Sequence, residues 1–234
     1  MVSRSGGSFF VAARKVLEQS LIFWYISGIM NPQTSREMHK ERTLVIIKPD
    51  GVQRALIGDI LSRFERTGLK FTAFKFLVPT EAQCLEHYHK DEAWFLKKGK
   101  RIIEDLTTQG LPVEKDEMTY GKGIIDTIVK FVTAGPVLAF VVEGNQSVAV
   151  VTKLVGSTEP ATSDVGTIRG DLTVDSYGHS TLQNRAVRNL IHCSESPVEA
   201  EREIKVWFKE EEIMNYKTVQ ERILYDVDLN GILD

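Results

Sequence analysis

From Glu41 onward the chain alternates between strand-like and helix-like hydrophobic spacing, and this alternation restricts its fold more than any other feature. Thr43 to Ile47 is a β-branched, apolar run that reads as a buried strand. Ile57, Ile60, Leu61 and Phe64 then fall at helical spacing that ends at Gly68, and Leu69 to Val78 returns to strand. Thr80 through Gln83 is a capping-box pattern that opens a helix toward Tyr88. Ile124 to Val132 reads as a helix stopped by Gly135-Pro136, Val137 to Val142 as a strand, and Asn145 as the cap of a helix running to Val155. A last short apolar run, Leu190-Ile191, precedes one more helix. Each half pairs a helix with two strands. The order predicts an α/β fold, a ferredoxin-like βαββαβ sandwich with a four-stranded antiparallel sheet, helices on one sheet face, and extra loop insertions.

That last helix has an unusually clear start. Ser196 suits the N-cap, Pro197 the first helical position, and Glu199 stands where a capping box places its carboxylate. Ala200, Ile204, Trp207 and Phe208 then form one apolar stripe for the core. Just before this helix, Asn189-Leu190-Ile191-His192 puts a histidine at the sheet edge with its backbone fixed on both sides. Glu203 lies beside the apolar stripe, and helical side chains lean toward the N-terminus, so its carboxylate is expected to reach back and hold the His192 ring. A neutral, oriented imidazole with one nitrogen free is what a nucleophilic histidine needs. The plainer reading is a satisfied core histidine.

Two other fragments carry charge at turns. Lys48-Pro49-Asp50-Gly51 follows the first strand directly, so a lysine emerges at a strand end and enters a tight turn. Gly166-Thr167-Ile168-Arg169-Gly170-Asp171 sets an arginine between glycines, where backbone can approach a ligand closely. Singly, each is an ordinary turn with a solvated charge. Together with His192 they supply a nucleophile and two cations, the requirement of phosphoryl transfer, in which positioning and charge stabilisation dominate.

Composition excludes little but is consistent. Lys plus Arg total 29 against 32 Asp plus Glu, a net charge of −3 that gives no argument for nucleic acid. Two cysteines, Cys84 and Cys193, have neither metal-ligand spacing nor a disulfide framework, which points to a reducing, cytoplasmic setting. Residues 1–40 differ from the rest: basic residues Arg4, Arg14 and Lys15 precede the apolar run Leu21 to Met30. That run is too short for a bilayer span of about 20 residues. It reads as a targeting or membrane-surface segment, or as a start assigned too early, since Met30 and Met38 both precede the first strand. Residues 156–188 lack hydrophobic periodicity and read as a long functional loop, and 217–234 as a C-terminal tail.

Ile46-Ile47-Lys48-Pro49-Asp50-Gly51-Val52-Gln53-Arg54, the hexapeptide Gly166 to Asp171, and Asn189-Leu190-Ile191-His192 followed by Ser194 resemble nucleoside diphosphate kinase, in that family's order, over about residues 41–216. The resemblance implies that His192 takes the γ-phosphate of a nucleoside triphosphate and gives it to a nucleoside diphosphate. It implies phosphate and ribose contacts from Lys48, Thr158, Arg169 and Asn189, and a tyrosine beside the phosphates at Tyr88. Ser194 and Glu203 match the pair behind the catalytic ring. An aromatic residue stacks on the base, and the spacing leaves Trp94 and Phe95 both open; stacking tolerates any base. Mg²⁺ is implied, held through nucleotide phosphates and water rather than by a carboxylate cage, with no dedicated protein metal site. Nucleoside di- and triphosphates are the implied partners, with a homo-oligomer of this chain.

The chain departs from that family's pattern in four places. Thr152 stands where an arginine is usual on the helix before Gly156, with Lys153 adjacent. Residues 97–123 are longer than the usual connection and carry Lys97, Lys98, Lys100 and Arg101. Residues 172–187 appear inserted and contain His179, read as an exposed loop histidine. Glu195 and Cys193 replace a more common aspartate and a small residue. These departures motivate a second reading: a nucleotide-binding or assembly module whose chemistry has lapsed.

Overall fold

The computed structural model describes residues 41–225, so both readings of residues 1–40 lie outside the described residues. The chain forms β1 (Glu41–Ile47), α1 (Pro49–Gln53), α2 (Ile57–Glu65), β2 (Lys70–Leu77), α3 (Glu81–His87), α4 (Glu92–Thr108), α5 (Glu117–Val132), β3 (Val137–Gly144) and α6 (Ser147–Val155). Short helices α7 (Ile168–Leu172) and α8 (Tyr177–Leu182) precede β4 (Ile191–Cys193), α9 (Pro197–Trp207) and α10 (Val219–Leu224). The four strands lie in the order β2-β3-β1-β4, and every neighbouring pair is antiparallel. This is the ferredoxin-like α/β arrangement that the strand and helix order predicts.

The helices cover both faces of the sheet, not one. Leu44 and Ile46 of β1, with Val137, Ala139 and Val141 of β3, face residues of α3, α5 and α9. Val45 and Ile47, with Leu138, Phe140 and Val142, face α2 and α6. The central strands therefore bury alternate residues in two cores, which is why β1 reads as a continuous apolar run without polar alternation. His192 is paired with Ile46 and so shares the first face, whereas Cys193 is paired with Val45 and belongs to the second.

Several local expectations take a different form. Lys48-Pro49-Asp50-Gly51 opens the one-turn helix α1, with Lys48 at its N-cap and Pro49 at the first position, in place of a tight turn. α6 starts from Gln146 instead of Asn145, and its first amides are met by β1: the Glu41 carboxylate accepts from Val148 N–H at 2.7 Å. Ser196 accepts from Glu199 N–H as expected, but the Glu199 carboxylate turns to Lys90 at 2.9 Å, so only half of the capping box forms. Thr80 likewise accepts from Gln83 N–H, while the Gln83 amide donates to Val206 carbonyl. Residues 156–188 hold the short helices α7 and α8, and His179, exposed as expected, lies on α8. The described part of the segment read as a tail holds α10, and Lys70 Nζ donates to Glu221 on it at 2.9 Å and to the preceding Tyr216 carbonyl at 3.0 Å.

Residues 97–123 belong to a helical hairpin, α4 against α5. The two helices touch backbone to backbone at two glycines. A Cβ added to Gly99 would stand 1.7 Å from the Glu117 carbonyl oxygen, and one added to Gly121 would stand 2.1 Å from that of Phe95. Gly99→Ala is thus expected to pry the hairpin apart at a cost of ~1–3 kcal/mol. Thermal unfolding should show a fall in Tm of roughly 3–10 °C at this chain length, and an unchanged Tm would refute the close packing.

Candidate active site

The segment before β4 is held in a conformation that an ordinary residue avoids. Leu190 has φ +67°, in the left-handed region, and Ile191 N–H donates back to the Asn189 carbonyl at 2.7 Å, closing a γ-turn around it. Such backbone costs about 1–3 kcal/mol and persists only where its surroundings fix it. Here they do. The Asp50 carboxylate accepts from Leu190 N–H at 3.1 Å, Lys48 N–H donates to the Leu190 carbonyl at 2.7 Å, and the Leu190 side chain is wholly buried. Gly51 allows the approach, since a Cβ there would meet the Leu190 carbonyl oxygen at 3.2 Å and Ile47 at 2.7 Å.

Arg169 completes the clamp. Its guanidinium is only 6% exposed, and each nitrogen donates to a carbonyl: Nε to Asn189 at 3.2 Å, Nη1 to Gly156 at 2.9 Å and Nη2 to Ile191 at 2.7 Å. Five N–H groups are available to an arginine, so two remain for a ligand. Burial lowers its pKa from the usual arginine value. The flanking glycines serve packing more than ligand approach: a Cβ on Gly170 would stand 2.1 Å from the Asp164 carbonyl oxygen, whereas Gly166 is open and adopts φ +93°.

Lys48 lies beside this clamp. Its Nζ donates to Asn189 Oδ1 at 2.8 Å, and the Asn189 amide donates in turn to the Thr158 carbonyl at 2.8 Å. Burial first, and then the charge of Arg169, push the Lys48 ammonium down to about 8. Lys48, Asn189, Thr158 and Arg169 therefore form one cationic, hydrogen-bonded cradle at the end of β1. Thr152 is exposed on α6, and burial pushes the Cys193 thiol up, so it stays protonated.

His192 projects from β4 with 17% of its side chain exposed. Its Nε2 is 3.0 Å from Glu203 Oε2, the same oxygen that accepts from the Ser194 hydroxyl at 2.6 Å. Burial opposes ionisation of Glu203, but the charge and hydrogen bond of His192, with help from His87 and Ser194, bring its pKa down to about 2. Among the described residues no hydrogen bond engages His192 Nδ1. Tyr88 stands edge-on to the ring at 5.8 Å between centroids, and burial keeps its phenol protonated.

Trp94 and Phe95 lie in the first turn of α4, which Asp91 caps by accepting from Trp94 N–H at 2.8 Å, and their rings meet edge to face at 5.5 Å. The backbone of Phe95 is on the side of α4 that crosses α5, at the Gly121 contact. Both rings are half-buried and pack against the core that contains α5, with Lys98 Nζ 5.7 Å from the Trp94 ring centre.

Sequence reasoning overlooked Asp50 as the fastener of the γ-turn, and it overlooked His87. The one signal for Asp50 was its place one residue after a proline at a strand end. His87, His192 and Glu203 stand with potential ligand atoms within 4.8 Å of one another. That spacing suits a metal better than the donors do. The His87 Nδ1 lone pair takes the Trp207 indole N–H at 3.1 Å, and Glu203 Oε2 already serves two partners.

The chain matches the family described as nucleoside diphosphate kinase over residues 41–108 and 98–213. A nucleoside diphosphate kinase from Pyrobaculum aerophilum is 41% identical over 182 residues, covering 76% of this chain and all of that relative. In structure, an NDP kinase from the same organism matches with a TM-score of 0.72 at 39% identity, covering 75% of this chain and 100% of its own. A Borrelia burgdorferi nucleoside-diphosphate kinase, described as a transition state mimic with bound vanadate and ADP, matches with a TM-score of 0.64 at 38% identity, over 79% of this chain and 96% of its own.

The γ-turn gives a direct test. Asp50→Ala leaves the buried Leu190 N–H without a partner, at a cost of about 1–3 kcal/mol. Urea unfolding should show a lower midpoint with an unchanged slope; a midpoint equal to the parent's would mean that Asp50 is not what holds the turn.

Proposed function

The chain belongs to the nucleoside diphosphate kinase family and moves phosphate between nucleotides, and we propose that it does so through a phosphohistidine at His192 by a ping-pong route. The observation that carries this reading is the pairing of His192 Nε2 with Glu203, which leaves Nδ1 as the nitrogen with a free lone pair. An ionised Glu203 favours the neutral tautomer with its proton on Nε2, and Ser194 holds the carboxylate in place.

In the first half-reaction the Nδ1 lone pair attacks the γ-phosphorus in line. The N–P bond forms as the bond to the bridging oxygen breaks, and that electron pair leaves on the nucleoside diphosphate. Nε2 keeps its proton against Glu203, so the ring's growing positive charge is met by a fixed carboxylate. In the second half a terminal oxygen of an incoming diphosphate attacks phosphorus, and the N–P electrons return to Nδ1. Lys48 and the two spare Arg169 N–H groups bind and stabilise charge on the transferred group. Asn189 and Thr158 contact phosphate and ribose, and Tyr88 donates its phenol near the phosphates. Trp94 or Phe95 offers a ring for base stacking.

Mg²⁺ fits this cradle as an ion carried by the nucleotide. The cradle joins two cations through the Asn189 amide; its one nearby carboxylate, Asp50, is held by Leu190 N–H, and Glu203 is committed to His192 and Ser194. When bound with the phosphates, the ion would screen their charge.

A homo-oligomer belongs to the same reading. β2 is an edge strand, and Phe74 and Phe76 on it, with Val78 just beyond its end, are 51%, 61% and 59% exposed, an apolar edge suited to a second copy of this chain. Cys84 and Cys193 are free thiols, as suits a cytoplasmic enzyme. Among the described residues no helix is long and apolar enough to cross a membrane.

Two measurements test the mechanism. His192→Ala should abolish both acid-labile labelling by γ-labelled ATP and nucleotide turnover, and full turnover in that variant would overturn the phosphohistidine. The pH dependence follows from Lys48, whose ammonium loses its proton near pH 8 rather than in the ordinary lysine range. ADP affinity in the free enzyme should therefore weaken as pH rises through about 8, and calorimetric titration of Lys48→Gln should lack that step. For stability the sign reverses: the neutral amine suits the buried site, so the apo fold gains stability between about 8 and the unfolded-state lysine value. Constant ADP affinity up to pH 9.5 would contradict the assignment.

A further inference from the structure

We infer that His87 is a positioning residue for phosphotransfer, a second imidazole that stands edge to face against His192 and keeps its Nδ1 aimed out of the fold. The inference rests on the phosphohistidine reading given above. His87 is the last residue of α3 and is wholly buried. Its ring centre lies 4.5 Å from that of His192 at an interplanar angle of 80°, and 4.4 Å from that of Tyr88 at 79°. These separations are within the range of edge-to-face ring packing. Glu203 fixes His192 through one ring nitrogen only, which leaves rotation about that hydrogen bond free. A ring packed against the imidazole removes this freedom.

The chemistry of His87 explains why an imidazole serves here. Trp207 is buried and donates its indole N–H to His87 Nδ1 at 3.1 Å. Nδ1 therefore carries the lone pair, and neutral His87 holds its proton on Nε2. That nitrogen is buried and has no hydrogen-bond partner. It lies among rings instead of acceptors. A phenylalanine in this place would pack but would strand the indole N–H; a glutamine would accept the indole but offers no ring.

Neutrality is equally part of the role. The charged groups that face His87 are His192 on β4, Glu203 and Arg202 on α9, and Lys48 at the end of β1. Burial, followed by the charge of His192, keeps its pKa well below the usual histidine value. When Nδ1 of His192 is phosphorylated with its proton still on Nε2, the ring is cationic. A second cation packed against it would oppose that state, whereas a neutral edge does not. Glu203 Oε1, 3.8 Å from His87 Nδ1, is too far to compete with the indole.

The test uses the full chain and two variants that separate the two properties of the side chain: His87→Phe keeps a ring and loses the acceptor, and His87→Gln does the reverse. Rapid-quench measurement of phosphoenzyme formation from ATP should show a rate lower by about 10–100-fold in both, with ADP affinity within about twofold of the parent. Parental rates in a folded variant would overturn the inference. Loss of rate together with an equal loss of ADP affinity would also overturn it, because that pattern marks general structural damage. If the parent forms no phosphoenzyme at all, the underlying reading fails instead. Should neither variant fold, ¹⁵N NMR of the unmodified protein still decides: His87 should remain the neutral Nε2–H tautomer from pH 5.5 to 9, and titration in that range or an Nδ1–H tautomer would refute the role.

Discussion

The left-handed turn at Leu190 is the constraint on which the site depends. It reverses the chain between Asn189, which meets Lys48, and the short edge strand that carries His192. Each carbonyl from Asn189 to Ile191 is matched by a donor from Lys48 or Arg169, with Ile191 N–H adding a second bond to that of Asn189. The strained backbone is thereby over-determined. One consequence is mechanical. The side chains positioned to meet phosphate are also those that hold the nucleophile's strand, so a change at Arg169 disturbs His192 even without altering any contact to a ligand.

Charge in the cradle is arranged in advance. Burial depresses both cations, Lys48 and Arg169, and the charge of Arg169 depresses Lys48 further. Such a site is held in tension by the fold and relieved when an anion enters. Fixed donors of this kind need little reorganisation at the moment of reaction, which is where preorganised electrostatics gains over water. The cost is met elsewhere, by two cores that flank β1 and β3 and by the bidentate pairing of Arg42 with Glu201 at 2.7 and 2.9 Å, which ties β1 to α9.

What was legible in the sequence was local or nearly so. The N-cap at Ser196, the apolar stripe from Ala200 to Phe208, and the reach of Glu203 to His192 all follow from helix geometry within one supersecondary unit. The fold class was legible from the order of spacing. What was hidden required tertiary structure. The run Thr43 to Ile47 lacks polar alternation, which marks two-sided burial, yet the number of helices available for each face is not visible in the strand itself. The segments 97–123 and 156–188 have weak periodicity because their helices are short or meet through glycine, so close backbone approach replaces the usual apolar stripe. Asp50 and His87 were hidden for a related reason: each acts across more than 100 residues of sequence, on Leu190 and on Trp207 with His192 respectively.

The position of Thr152 bears on whether the chemistry survives its loss of an arginine. Thr152 is an exposed, neutral residue on α6 where the family's pattern has a cation. Phosphate affinity is what such a change touches first, because the groups around the His192 ring are unaltered. There a buried, ionised Glu203 is directed at an imidazole and a serine. Keeping a carboxylate charged in that setting costs several kcal/mol of desolvation. A protein that merely held nucleotide would have no use for that expense, since its ligand is met by the cradle and not by the ring's hidden nitrogen. On the proposed phosphohistidine route, a carboxylate fixed behind a partly exposed imidazole gains its value when that ring becomes positive on bonding to phosphorus.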